Sequence, residues 1–207
     1  MRHVVITSVT RDDLPDGGAY VFAGTIQAIR ERSSEVVIEV LIPDFQGSWD
    51  ALNRVLDEGP DVIGHNLETV ARLYPVVRSG AVYERSLELL RRATKPAPDL
   101  LTKSGIMVGL GETREEISEL VRDLAAVQCR VLTIGQYLRP TRGHHPVQRY
   151  VPPDEFEELK DMALAAGMRE VAAGPLVRSS YKAGEIFRLA ASSSSLLPED
   201  ERRNDSV

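Results

Sequence analysis

With 207 residues and 43% hydrophobic side chains, the chain can bury one sizeable core, so a single domain is expected over residues 1–190, with a polar, disordered tail over 191–207. A net charge of −6 without any basic run argues against a nucleic-acid partner, and strand-length apolar runs argue against a spanning helix, a membrane partner or a signal peptide, which points to the cytoplasm. The single cysteine, Cys129, excludes an intrachain disulfide and any all-cysteine metal site built from one copy.

Arg2 to Val9, RHVVITSV, is rich in β-branched residues and reads as a buried strand that begins almost at the first residue. A loop with Asp12, Asp13, Pro15 and the Gly17–Gly18 pair follows, then a helix with Phe22, Ile26 and Ile29 on its inner face. Val36 to Ile42 is the second strand, Pro43 to Ser48 a loop, and Leu52, Val55 and Leu56 mark a short helix. Asp61 to Asn66 is the third strand, followed by an interrupted helical region that becomes regular from Val82 to Ala93. The stretch from Leu101 to Glu116, LTKSGIMVGLGETREE, reads as strand, tight glycine loop and helix start. Thr113 with Glu116 fits a capping box, and Ile117, Leu120, Val121 and Leu124 recur at helical spacing. Val131 to Leu138 is a fifth strand. A proline-rich loop, a helix bearing Phe156, Leu159 and Met162, a short extended piece at Val171 to Leu176 and a last helix from Arg178 to about Leu189 complete the domain. Repeated strand-then-helix units with continuous apolar strands call for a parallel sheet covered by helices. Periodicity alone fits either a doubly wound sheet or part of a (β/α) barrel.

Several constellations have a functional and a bland reading. Gly109 and Gly111 let backbone approach a bound group at the carboxyl end of a strand, or simply serve a strand-to-helix turn. Asn66 and Glu68 of HNLET, two apart in an extended segment, point to one side and suit a ribose diol; otherwise they belong to a polar turn, with His65 a satisfied core histidine. His144 and His145 sit in a proline loop and lack metal-site spacing, so a surface loop is the better reading. Asp12 and Asp13 read as solvated or capping acids, and Cys129 as a small buried residue. The serines of RSSY, Arg178 to Tyr181, read chemically as a helix cap.

Taken together, VVITSVTRDDLPDGGA, IEVLIPDFQG, HNLET, KSGIMVGLGET, LTIGQYLRPT and GPLVRSSY resemble, in order and spacing, the C-terminal two-thirds of the lipoyl synthase family. HNLET and GIMVGLGET are also similar to biotin synthase; RSSY and IGQYL favour lipoyl synthase. The resemblance implies a partial (β/α) barrel of the radical S-adenosylmethionine type, an α/β fold of parallel strands with the first strand missing from this sequence. It implies S-adenosylmethionine and two [4Fe-4S] clusters as cofactors, and an enzyme that inserts two sulfur atoms at C6 and C8 of a protein-bound octanoyl group. An octanoylated lipoyl-carrier protein domain and an electron donor protein are the implied partners. Thr7, Ser8, Asn66, Glu68, Gly105, Met107, Gly109 and Glu112 match the family's cofactor contacts. Ser180 matches an oxygen ligand of the auxiliary cluster, and Arg178 a residue controlling access to it.

The family's two three-cysteine motifs are absent from this sequence. Cluster ligation normally takes thiolates, so this chain alone is expected to be inactive. A gene start placed too late, a true truncation, and one half of a split enzyme are the three explanations. A noncatalytic α/β module that binds an adenosyl ligand is the alternative function.

Overall fold

The computed structural model describes residues 2–94 and 100–192. Six strands alternate with helices: β1 (His3–Thr7), α1 (Ala19–Arg30), β2 (Val37–Leu41), α2 (Trp49–Leu56), β3 (Val62–Gly64), then α3 (Tyr74–Val77) and α4 (Tyr83–Thr94). They continue as β4 (Leu101–Val108), α5 (Arg114–Ala126), β5 (Val131–Gln136), α6 (Pro153–Ala165), β6 (Glu170–Gly174) and α7 (Ala183–Ser192). The strands form one sheet in sequence order, and every neighbouring pair is parallel. That order is the one expected of barrel strands, where each helix crosses over to the next strand on the same side.

Local chemistry accounts for the helix starts. Thr113 and Glu116 close the expected capping box on α5, Asp44 and Ser48 accept backbone N–H groups ahead of α2, and Pro153 occupies the first turn of α6. The extended piece expected at residues 171–176 is a sixth strand, because β5 offers it an open ladder. The last helix starts at Ala183 and not at Arg178, so the two serines of RSSY lie in the turn before α7. Helix α7 reaches Ser192, two residues into the segment expected as a tail; residues 193–207 lie outside the described residues.

Strand alternation divides the sheet into two surfaces. One surface, with Ile38, Val40, Ile63, Ile106, Val108, Leu132 and Ile134, packs against the helices and forms the two large cores. Phe156, Leu120 and Ile26 are among the side chains fully withdrawn from water there, each worth roughly 1.5–3 kcal/mol of transfer free energy. The other surface meets α7. Ile186 and Ala190 pack on Val62, Leu101 and Val131, at the amino ends of three strands, and Phe187 stacks edge-on against His3 at 6.0 Å. Helix α7 touches both β1 and β6, the two edge strands, which is possible only if the sheet curves around it. The result is an open, curved partial barrel with α7 as its floor. Among the described residues no helix is long and apolar enough to cross a membrane.

Just above the floor, Lys103 on β4 donates to Glu39 on β2 at 2.7 Å, and His3 Nε2 stands 3.2 Å from the other Glu39 oxygen. Burial pushes Glu39 upward, but the His3 hydrogen bond and the Lys103 charge together hold it below 4.5.

Candidate functional site

The carboxyl ends of the strands open opposite that floor, which is where parallel α/β folds place their ligands. β3 stops at Gly64; His65 N still donates to the Lys103 carbonyl at 3.0 Å, and the chain bridges β4 once more at Glu68. Its N–H donates to the Gly105 carbonyl at 2.9 Å, and its carbonyl accepts from Met107 at 2.8 Å. Glu68 does this with φ 65°, a left-handed conformation that costs a non-glycine residue about 1 kcal/mol or more. The expected convergence of Asn66 and Glu68 is present, since Asn66 Nδ2 donates to Glu68 Oε1 at 3.0 Å. It arises from this left-handed residue and not from a simple extended strand.

Burial raises the Glu68 carboxyl above 4.5, opposed by the Asn66 hydrogen bond and the positive charge of Arg78. Arg78 is held by the Tyr74 hydroxyl at 3.0 Å and lies over the Tyr74 ring at 5.3 Å. No motif singled it out, because it meets the site from the end of α3. His65 is buried. Its Nδ1–H donates to the Ile42 carbonyl at 2.9 Å, so Nε2 accepts from Ser86 Oγ at 3.0 Å, and burial lowers its pKa to about 4. It is the satisfied core histidine of the plainer reading.

Gly105 shows what the floor of the pocket excludes. A Cβ placed there would lie 2.7 Å from Thr133 Oγ1 and 2.9 Å from Asn66 Oδ1. Only glycine leaves these two polar groups their positions, and Thr133 is a lining residue that sequence reasoning missed. One residue beyond Glu68, the Thr69 hydroxyl is buried without a partner among the described residues.

The GLGE loop is closed by its own glutamate. Both oxygens of buried Glu112 accept loop N–H groups, from Gly109 at 2.6 Å and Leu110 at 2.8 Å. Gly109, at φ 97°, permits a close approach by the chain itself. A Cβ there would lie 2.4 Å from both the Arg149 carbonyl and Gln136 Nε2. Gln136 in turn donates to Arg149 O at 3.1 Å and accepts from Val151 N at 2.9 Å, clamping the proline-rich segment to the rim. His145 joins that clamp by donating to Leu110 O at 2.9 Å, and His144 remains exposed.

Thr7 and Ser8 stand exposed at the end of β1, where Ser8 Oγ donates to Val9 O at 2.9 Å. Met107 lies on β4 next to the bridge to Glu68, half-buried. After β6 the chain turns back over β5, so that a Cβ on Gly135 would meet Val177 O at 2.3 Å and Arg178 Nη1 at 3.2 Å. Arg178 and Ser180 are exposed on this turn, at the carboxyl side of β5 and β6. Asp13 pairs with Arg11 at the surface.

The donors suit an adenosyl group and not an iron-sulfur cluster. Asn66, Thr133 and Glu68 around a side-chain-free Gly105 form a polar cradle. The only thiol, Cys129, is fully buried after α5. Burial pushes its pKa up to about 12, and its sulfur lies 3.5–3.6 Å from the carbonyls of Val131 and Thr102. No cluster of three or more His, Cys, Asp or Glu able to hold a metal occurs among the described residues.

A six-stranded parallel sheet in sequence order, open at both edges and polar at its carboxyl rim, defines the half-barrel class of α/β folds. The family model for the radical SAM superfamily matches residues 1–124, and the chain belongs to that superfamily. It is 55% identical over 190 residues to the lipoyl synthase of Desulfotalea psychrophila, covering 92% of this chain and 64% of that protein. It is 56% identical over 188 residues to the lipoyl synthase of Thermus thermophilus, covering 90% and 58%. The chain thus spans about two-thirds or less of the length of these relatives. The fold is also that of a domain of pyruvate-formate lyase-activating enzyme from Bacteroides vulgatus, with a TM-score of 0.58 at 11% identity, over 82% of this chain and 98% of that one.

Proposed function

We propose that this chain provides the cofactor-binding barrel of a lipoyl synthase, which inserts two sulfur atoms at C6 and C8 of a protein-bound octanoyl group. The observation that carries this reading is the Asn66–Glu68 pair over Gly105, on a chain more than half identical to proteins of that name. In this reading Thr7, Ser8, Asn66, Glu68, Gly105, Met107 and Gly109 hold S-adenosylmethionine. That cofactor supplies hydrogen abstraction from unactivated carbon, which no side chain can perform.

The chain's own residues bind and orient. The Glu68 carboxylate accepts from the ribose hydroxyls, Asn66 aligns that carboxylate, and Arg78 favours its charged form against burial. Glu112 contributes indirectly, by fixing the loop that forms one wall. The clamped segment at Gln136 and Gly109 keeps water from that side of the mouth. Arg178 and Ser180 belong to the substrate side of the opening. The octanoylated carrier domain, the reductant and the iron-sulfur chemistry belong to the reading of the whole enzyme, and one buried thiol in this chain does not furnish cluster ligands.

The test is calorimetric titration of the chain with S-adenosylmethionine. Glu68→Ala should weaken binding by about 1–3 kcal/mol, the worth of hydrogen bonds to a charged group. Unchanged binding would leave Glu68 a purely structural residue. The lone buried cysteine favours a second reading, an adenosyl-binding module without radical chemistry. Mass analysis of an octanoyl-lysine peptide for added sulfur, under reducing conditions with iron and sulfide supplied, separates the two.

A further inference from the structure

From Leu124 to Pro153 this acidic chain contains no aspartate or glutamate, while Arg130, Arg139, Arg142 and Arg149 all fall within that stretch. The arginines are too far apart to read as a basic run, and the signal is the absence of acids around them. The fold places the latter half of the stretch, residues 138–150, on the carboxyl rim of the barrel. It leaves β5 after Gln136 and is tied down beside the cofactor loop by Gln148 N to Gly109 O at 2.8 Å and His145 to Leu110 O at 2.9 Å.

The segment is exposed but internally ordered. Arg139 donates to the carbonyls of His144 and Arg142, Thr141 Oγ1 bonds to His144 Nδ1 at 2.8 Å, and the Tyr137 hydroxyl donates to His145 O at 2.8 Å. These partners are neutral, so Arg139 keeps an uncompensated charge. Arg142 and Arg178 likewise make no ion pair among the described residues, whereas Arg149 is neutralised by Glu155. Nearby Glu112 is buried in its own loop and Glu158 is paired with Arg114. Three unneutralised guanidinium groups therefore stand around the carboxyl end of β5. Leu138 (51% exposed) and Tyr150 (72% exposed) flank them.

We propose that this rim segment, with Arg139 and Arg142 at its centre, docks an acidic stretch of the protein that carries the acyl-lysine. Exposed arginine, tyrosine and leucine on one rim segment suit protein recognition: guanidinium forks pair with carboxylates, and aromatic and aliphatic groups are shielded on contact. A nucleic acid fits less well, because phosphate recognition draws on a long basic stripe and the remainder of this chain is acidic. The proposal deepens the proposed function and rests on it for the identity of the acyl-lysine. Its electrostatic part is separately testable.

The experiment is fluorescence anisotropy of three labelled peptides with the full 207-residue chain: octanoyl-lysine flanked by Asp and Glu, the same acyl-lysine flanked by Ser and Gln, and the acidic peptide with unmodified lysine. The acidic acyl peptide should bind about tenfold more tightly than the neutral one at low salt, and the gap should close as salt screens the charges. Arg142→Glu should remove that advantage, because its side chain makes no bond within the segment, whereas Arg142→Lys should keep most of it. Arg122→Glu, an equal charge change on α5, should leave it intact. Equal binding of the acidic and neutral peptides, an inert Arg142→Glu, or displacement of the acidic peptide by a short RNA oligonucleotide at lower concentration would overturn the proposal. If the unmodified acidic peptide binds as well as the acylated one and both are lost in Arg142→Glu, the docking surface stands and acyl recognition by this chain fails.

Discussion

Replacing Lys103 by Met keeps the length and apolar stem of the side chain and removes only its charge. In the native barrel Lys103 and Glu39 are each 4% exposed and 2.7 Å apart, and His3 sits 3.2 Å from the second Glu39 oxygen. The variant leaves a carboxylate inside the barrel with one partner where there were two. Removing one member of such a pair costs about 3–5 kcal/mol, which for a chain of this size lowers the melting temperature by roughly 6–20 °C. Replacing both members, as Glu39→Gln with Lys103→Met, should recover much of the loss, since no bare charge remains. Urea unfolding of the two single variants and the double variant measures the coupling directly.

The pH dependence gives a second check. Glu39 is held below its ordinary 4.5, so its contribution is complete above pH 4.5 and disappears as the pH falls through its lower folded value. Without Lys103, burial raises that carboxyl, and the deficit of the variant should shrink as the solution is acidified. A Lys103→Met variant within about 1 kcal/mol of wild type, or a double variant that loses the sum of the singles, would refute the argument that the pair is a desolvated, mutually dependent unit.

Buried His65, with its pKa lowered to about 4, favours the neutral ring in the folded state; its contribution is complete above pH 6.5 and falls by about 3 kcal/mol between pH 6.5 and 4. Stability curves of His65→Gln should lack that limb. Gly105→Ala drives a methyl against Thr133 and Asn66, so S-adenosylmethionine affinity should fall at least about tenfold with the far-ultraviolet dichroism unchanged, and a native titration would show the cradle to be unimportant. Glu112→Ala strands two buried N–H groups and should cost about 1–3 kcal/mol, with faster amide exchange at Gly109 and Leu110. Anaerobic iron and sulfide reconstitution of this 207-residue polypeptide should yield a colourless solution, because Cys129 is its sole thiol and is fully buried; broad charge-transfer absorption would contradict that.

Most helix starts and strand positions were legible in the sequence because they depend on neighbours a few residues away; the start of α7, expected at Arg178 and found at Ala183, was not. Thr113 and Glu116 bond to each other across one turn, and the strand before Gly109 is buried along nearly its whole length, as a central parallel strand is. The motifs HNLET and GLGE likewise marked the rim, since loops at the carboxyl ends of parallel strands face a common opening. The roles of single side chains came from contacts between distant segments. Glu39 and Lys103 are 64 residues apart in the chain, and nothing local announces that strand order brings them together. EVAAG is too short and small to declare itself a strand until β5 offers it hydrogen bonds. Glycine at 109 makes room for Arg149, and Glu112 turns inward on its own loop, because closing the proline-rich segment onto the rim leaves backbone groups that must find partners there. Local energetics thus set the elements, while the burial of polar groups, which exists only once the barrel has formed, decided what each of them does.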